Sequence, residues 1–442
     1  MKNILLIITL IISTIIFSQN EPKAIELSLS QAIEKTLANN YQIKLVKANV
    51  NIANKRNNWG AAGLSPTFAL NLTNASNISD NTNNPASFFP GKVFNDNLTL
   101  SLDMNWTIFN GFGVRINKER FEKLSAQTNG NAMLVIETSI YETIIAYYTA
   151  VVQSRKLKVV KNLLYYSKDK LAYFKLKSEL GTASSFDLLQ FENQVLTDSS
   201  NIILQQLALR NSKRNLNLVM AEGVNEPYQL IENLTFEVPQ LTYAQMQSKM
   251  EAENLNLKNQ YFNLQLQDLN IKAQKSAYYP VVSLNLGVKP SIGYIELIDS
   301  PIPSINTNSL NYYGNISARY TIFNGWNRKR NVQIAEIQHN ITTLQTDDMK
   351  LKLNHQLRGT FEMYESQSKI EDMTMKRVTN AKSLWQTGKE KYDLGLINVF
   401  NLNDIKLQYQ QATITYYDRL FDLLKTHYDL LRITGQISQK YQ

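Results

Sequence analysis

No proline occurs between residues 91 and 226, and none after residue 303. A proline inside a helix removes a backbone hydrogen bond and clashes with the preceding turn, so long uninterrupted helices require stretches without it. Two proline-free stretches of more than 130 residues each do not suit a β-sandwich or a series of short α/β units. Glycine is scarce as well: 16 Gly and 10 Pro are under 6 % of the 442 residues, about half the usual share. With 19 % charged and 43 % hydrophobic residues, the chain is neither collagen-like nor disordered, and it can build a large core.

Charge and hydropathy narrow the class further. Mean hydropathy is −0.29, too low for a polytopic helical membrane protein. Net charge is +9, with both signs spread along the helical stretches, so no nucleic-acid partner is expected. Cysteine is absent, which excludes disulfides, thiolate metal sites, cysteine nucleophiles and a lipid on an N-terminal cysteine. Lys2, the apolar run Ile4 to Phe17 and then Ser18 describe a secretory signal peptide over 1–18. The run is short for a membrane-spanning helix, although an uncleaved anchor has the same composition.

The chain repeats itself at an offset of 214. Thr107-Ile108-Phe109-Asn110-Gly111 returns as Thr321-Ile322-Phe323-Asn324-Gly325. The same offset carries Pro66 to Pro280, Leu70 to Leu284, Gly181 to Gly395, Phe186 to Phe400 and Gln194 to Gln408. Both copies open on a helix-start pattern, Ser28-x-x-Gln31 and Thr242-x-x-Gln245. We read two structural repeats, 19–223 and 241–437, joined by a linker at 224–240 and followed by a short tail at 438–442.

Within each repeat the periodicity predicts a helix at about 28–63 (242–277) and a strand at 66–74 (280–289). A polar loop, a second strand at 97–107 (311–321) and a helix at about 113–179 (327–393) follow. A Gly-containing turn then leads to a last helix at 184–221 (398–434). Leu98, Leu100, Leu102, Met104 and Trp106 alternate with polar residues, as a half-buried strand does. Leu402, Ile405, Tyr409, Ala412, Tyr416, Leu420, Leu423, His427 and Leu430 step by three or four along a near-heptad seam. A helix of about 67 residues extends about 100 Å, so such helices pack side by side.

Secreted chains with alternating strands of about ten residues resemble outer-membrane barrels in pattern, yet the smallest such barrels have about eight strands. Four strands leave two open edges, which hydrocarbon does not tolerate. Three copies would pool twelve strands. Trp106, Phe109 and Phe112 cluster at one strand end and Tyr320, Phe323 and Trp326 at its counterpart, as aromatic residues do at a membrane interface or in an ordinary turn core.

In this arrangement the chain resembles the TolC-type outer membrane efflux proteins of Gram-negative bacteria. The resemblance rests on the duplication, Leu-Ser-Leu-Ser-Gln-Ala-Ile at 27–33, Trp-Thr-Ile-Phe-Asn-Gly at 106–111, and the turns at 179–187 and 392–404. It implies a mixed α and β membrane protein, with long coiled-coil helices and four strands per protomer. As a homotrimer it would form a twelve-stranded β-barrel continued by a periplasmic α-helical barrel. The implied partners are a periplasmic adaptor, an inner-membrane RND or ABC-type transporter and outer-membrane lipid. The implied role is a passive exit duct opened at its periplasmic tip. A periplasmic coiled-coil interaction protein without a barrel is the alternative reading.

The resemblance also implies a tip gate. By position, Asp187 matches a gate aspartate, Tyr392 a gate tyrosine and Asp404 one of two ring acids. Asn401 stands where the other ring acid belongs, and Ile397 where the basic partner belongs. The tip turns are marked by Gly181 and Gly395. Three copies of Asp404 around an axis would concentrate negative potential. Asp187 equally fits a helix-capping position after Ser184, and Asp404 a solvated helix face. His339, His355 and His427 lack metal-ligand spacing, and Gly111-Phe112-Gly113 lacks the third glycine of a dinucleotide loop. No catalytic, metal or cofactor residue is assigned.

Overall fold

The structure is a computed structural model that describes residues 25–182, 184–234 and 238–437. The expected signal peptide and the short tail lie outside the described residues. In chain order the elements are β1 (Ile25–Leu27), α1 (Leu29–Asn39), α2 (Tyr41–Arg56), β2 (Thr67–Asp80), β3 (Lys92–Asn110), α3 (Gly113–Glu179) and α4 (Ser185–Val219). Then come β4 (Tyr228–Leu230), α5 (Tyr243–Glu253), α6 (Leu255–Ser276), β5 (Val281–Ile298), β6 (Ile305–Arg319), α7 (Asn327–Asp393) and α8 (Val399–Ile433). Five of the element starts recur 214 residues on, and α3 and α7 both run for 67 residues. Among the described residues no helix is long and apolar enough to cross a membrane.

The first helix of each repeat departs from expectation. It breaks after 11 residues, at Asn40 and again at Asn254. Each asparagine holds the chain on both sides of the break. Asn40 Oδ1 accepts the Gln42 N–H at 2.8 Å while its Nδ2 donates to the Val219 carbonyl at 3.0 Å. Asn254 Oδ1 accepts the Leu257 N–H at 2.9 Å while its Nδ2 donates to the Ile433 carbonyl at 2.8 Å. All four carbonyl and asparagine positions are related by the same offset of 214, so the break is a duplicated device. Ser28 closes the expected capping box, whereas Thr242 makes no side-chain cap bond.

The chain divides into two compact units. The first comprises Met1–Lys47, Ala132–Leu257 and Met349–Gln442. Its core gathers Leu27, Ile33, Ile144, Tyr147, Leu216 and Leu424 in one cluster and Met250, Leu357, Phe361, Leu423 and Leu430 in another. The predicted α8 seam is therefore buried where Leu402, Ala412, Leu420, Leu423 and Leu430 fall. The linker contributes a strand unanticipated from sequence: β4 pairs in parallel with β1, Glu26 opposite Gln229.

The second unit, Ala48–Asn131 with Lys258–Asp348, carries the sheet β2-β3-β5-β6, antiparallel throughout. All four strands differ from the predicted spans. They reach from Thr67 to Asp80, Lys92 to Asn110, Val281 to Ile298 and Ile305 to Arg319. The outer ends are Asn- and Ser-rich and read as loop by composition, yet ladder hydrogen bonds need only backbone, and Ser76 pairs with Asp96 and Asn77 with Asn95. Pro290 thus sits within β5 opposite Leu310, while Pro85, Pro90, Pro301 and Pro303 occupy the two turns.

Register sorts this sheet into two faces. One row runs Leu70, Leu102, Val288, Tyr312; another runs Trp106, Leu284, Ile316. The opposite face carries Asn105, Asn285 and Asn315 in one row and Asp103, Gly287 and Tyr313 in the next. A Cβ on Gly287 would lie 2.4 Å from the Tyr313 ring, so glycine there lets the ring lie across β5. Its hydroxyl donates to Asp103, which also accepts from Ser101 and Asn71. The apolar face has no covering layer: Leu70 is 68 % exposed, Leu72 69 % and Ile316 74 %.

Candidate functional site

The two tip turns are built alike. Gly181 and Gly395 take φ of +69° and +73°, a conformation that glycine adopts without Cβ strain. After each glycine the chain folds back onto the helix it leaves. The Thr182 N–H reaches the Lys177 carbonyl at 2.9 Å and the Leu396 N–H the Lys391 carbonyl at 2.8 Å. A cap residue then starts the return helix: Ser184 Oγ accepts the Phe186 N–H at 3.2 Å, and Asn398 Oδ1 the Asn401 N–H at 2.9 Å. Phe186 and Phe400, equivalent in the two repeats, meet with ring centroids 5.6 Å apart.

Behind the turns lies an aromatic cluster. Phe174 stacks on Phe191 at 5.0 Å, and Tyr392 contacts both at 6.4 and 6.3 Å. Val399 completes the buried set. Burial pushes the Tyr392 hydroxyl up to about 12, and the nearby Asp187 carboxylate adds to the shift. The structure therefore brings Asp187 and Tyr392 into one electrostatic neighbourhood, with Asp187 in the first turn of α4. Asn401 and Asp404 are exposed on α8, where Asp404 accepts from Gln408 Nε2 at 2.7 Å. Lys170 pairs with Asp393, and its ammonium also lies 5.8 Å from the Tyr392 ring centroid. This cation was not singled out from sequence, because a lysine on a long helix carries no periodic signal.

Farther from the turns is a second polar group that no motif announced. Lys406 Nζ on α8 donates to Asp198 on α4 and to Ser167 Oγ on α3 at 2.7 Å. Ser167 donates to Asp198 Oδ2 at 2.7 Å, and Gln194 Nε2 to Asp198 Oδ1 at 2.8 Å. The lysine is 3 % exposed and the aspartate 5 %. Burial lowers the Lys406 ammonium pKa, opposed by the bond to Asp198. Removing one partner of such a pair costs about 3–5 kcal/mol, whereas an exposed ion pair contributes about 0–1 kcal/mol.

At the other end of the long helices, Trp106 donates its indole N–H to the Leu64 carbonyl at 2.8 Å. Phe109 and Phe112 meet at 5.3 Å, with Tyr279 against both. In the second repeat Phe323 and Trp326 meet at 5.8 Å, and Tyr320 lies just past β6, 5.9 Å from the Arg328 guanidinium. Phe112 and Trp326 share positive φ, +67° and +64°, where a glycine precedes each. Phe112, Tyr320, Phe323 and Trp326 are all more than half exposed.

A family model for outer membrane efflux proteins matches residues 32–222 and again 247–436. The chain belongs to the outer membrane efflux protein family. Its fold agrees with solved members of that group. The CusC channel is 15 % identical with a TM-score of 0.73, covering 95 % of this chain and 96 % of that one. The Campylobacter jejuni CmeC outer membrane channel is 14 % identical at 0.73, covering 93 % and 88 %. The outer membrane protein VceC of Vibrio cholerae is 14 % identical at 0.69, covering 92 % and 96 %. No curated protein matches by sequence. The long helices and the sheet are thus those of an outer-membrane efflux duct of tripartite systems.

Proposed function

We propose that three copies of this chain form the duct, each supplying β2, β3, β5 and β6 to a twelve-stranded barrel in the outer membrane. The observation that carries this reading is the uncovered sheet. It has an apolar face, a polar face and two unpaired edges, and three copies joined edge to edge satisfy all of these. The apolar rows then meet lipid and the asparagine rows line the lumen. Trp106, Phe109, Phe112, Tyr320, Phe323 and Trp326 mark the inner membrane–water boundary, and the helices continue into the periplasm.

There the turns at Gly181 and Gly395 form a tip that a periplasmic adaptor and an inner-membrane RND or ABC-type transporter open. Asp187 and Tyr392 hold the closed end, and Asp404 with Asn401 lines its constriction. An acidic ring attracts cations and admits multivalent cations as blockers. Planar-bilayer recording of the purified protein tests this. Asp404→Asn is expected to reduce cation selectivity and multivalent-cation block, and Asp187→Ala with Tyr392→Phe to raise single-channel conductance several-fold. Unchanged selectivity and conductance in these variants would remove both assignments.

A further inference from the structure

The Lys406–Asp198 pair breaks the internal repeat. The position equivalent to Lys406 in the first repeat is Glu192, which is paired with Lys175 at 3.6 Å in a largely exposed contact. The position equivalent to Asp198 in the second is Ala412. The pair therefore has no counterpart at the equivalent positions of the other repeat, and it joins α8 to α3 and α4. Lys406 also follows Leu402 by four residues, on the buried side of α8. A single ionic contact at a packed helix seam has a known physical consequence: it fixes register, because any slip strands a buried charge.

The contacts between this pair and the turns are of another kind. Phe174, Phe191 and Val399 are apolar and can slide over one another without leaving a group unsatisfied. The ion pairs there, Lys170–Asp393 and Lys175–Glu192, each have at least one largely exposed member and exchange readily for water. The pair itself lies two to four helical turns from the helix ends, by sequence count and a pitch of about 3.6 residues.

We propose that the Lys406–Asp198 pair is the fixed point of the tip. At its level α8 stays locked to α3 and α4, and opening is confined to the helix ends and turns beyond it. The proposal rests on the tip-gate reading for its use but not for its test. Since the chain has no cysteine, one introduced cysteine per protomer reports alone. Spin labels at Leu396, in the turn, and at Gln411, on the far side of the pair, give distances between protomers of the purified trimer.

The expected distribution at 411 is at least twofold narrower than at 396. In Asp198→Leu with Lys406→Met it broadens to match 396, and in the swap Asp198→Lys with Lys406→Asp it stays narrow. Should the apolar variant not assemble, Asp198→Asn with Lys406→Gln, which keeps side-chain size and removes both charges, reads the same widths. An unchanged width at 411 without the pair overturns the proposal. Conductance of the Asp187 and Tyr392 variants fails separately: no change there, with broadening at 411, rejects those gate residues and upholds the fixed point.

Discussion

Glu137 on α3 is a carboxylic acid whose buried surroundings disfavour its charge. It is 3 % exposed, and its Oε1 has no hydrogen-bond partner among the described residues. Burial pushes its carboxyl up to about 7, although Arg432 and the Ile437 backbone N–H favour the ionised form. Arg432 is shared: its guanidinium also covers the Tyr141 ring at 4.5 Å and lies 3.7 Å from Asp429. Glu142 lines the same groove and adds no positive charge. Between about pH 4.5 and 7 the folded state holds a proton that the unfolded chain releases, so stability falls as pH rises through that window and levels off above it. Glu137→Gln should flatten this dependence and raise stability at pH 8 by up to about 3 kcal/mol. Thermal midpoints of the two proteins across pH 4–8 check it; parallel curves would refute it.

At the scale of elements, the breaks at Asn40 and Asn254 decide where α1 and α5 end. Each side chain accepts a backbone N–H that a continuous helix would have bonded within itself, and each donates to the carbonyl at the C-terminal end of a return helix. Asn254 is 3 % exposed, while Asn40 is only partly buried, so the carbonyl left behind at Ile433 is harder to rehydrate than that at Val219. Asn254→Ala is expected to cost about 2–3 kcal/mol and Asn40→Ala about 1 kcal/mol in denaturant unfolding. Equal losses would show that burial does not set the difference. These breaks were not legible in the sequence, because Asn-Asn-Tyr and Glu-Asn-Leu do not interrupt an apolar period. The long helices α3 and α7 were legible to the residue, since proline absence, glycine turns and the offset of 214 all bound them. Strand ends escaped for the opposite reason: Asn and Ser at 75–80 and 305–309 signal turns, while the ladder that pairs them is blind to side chains. The Lys406–Asp198 pair is a tertiary fact. Its members lie 208 residues apart in positions that single-sequence periodicity assigns to no partner.

For the whole molecule, the helices raise the same demand as the sheet. On α4, Leu189, Leu196 and Ile203 recur at heptad spacing and are 58, 68 and 64 % exposed. On α7, Ile334, Ile337, Ile341 and Leu344 follow by threes and fours, all at least two-fifths exposed. Such stripes are seams without a partner helix in the single chain, and water is a poor substitute for one. Other copies of the chain supply it most simply, since the sheet edges already require them. Burying one Leu or Ile side chain contributes about 1.5–3 kcal/mol, and a threefold assembly repeats the gain at every interface. Leu196→Glu with Ile203→Glu places two carboxylates in that seam and leaves the core clusters of each protomer untouched. The native protein in detergent should sediment at about three chain masses, and the double variant at one with its far-ultraviolet helix signal retained. A variant that remains trimeric would move the interface away from α4 and leave the α7 stripe as the seam to test.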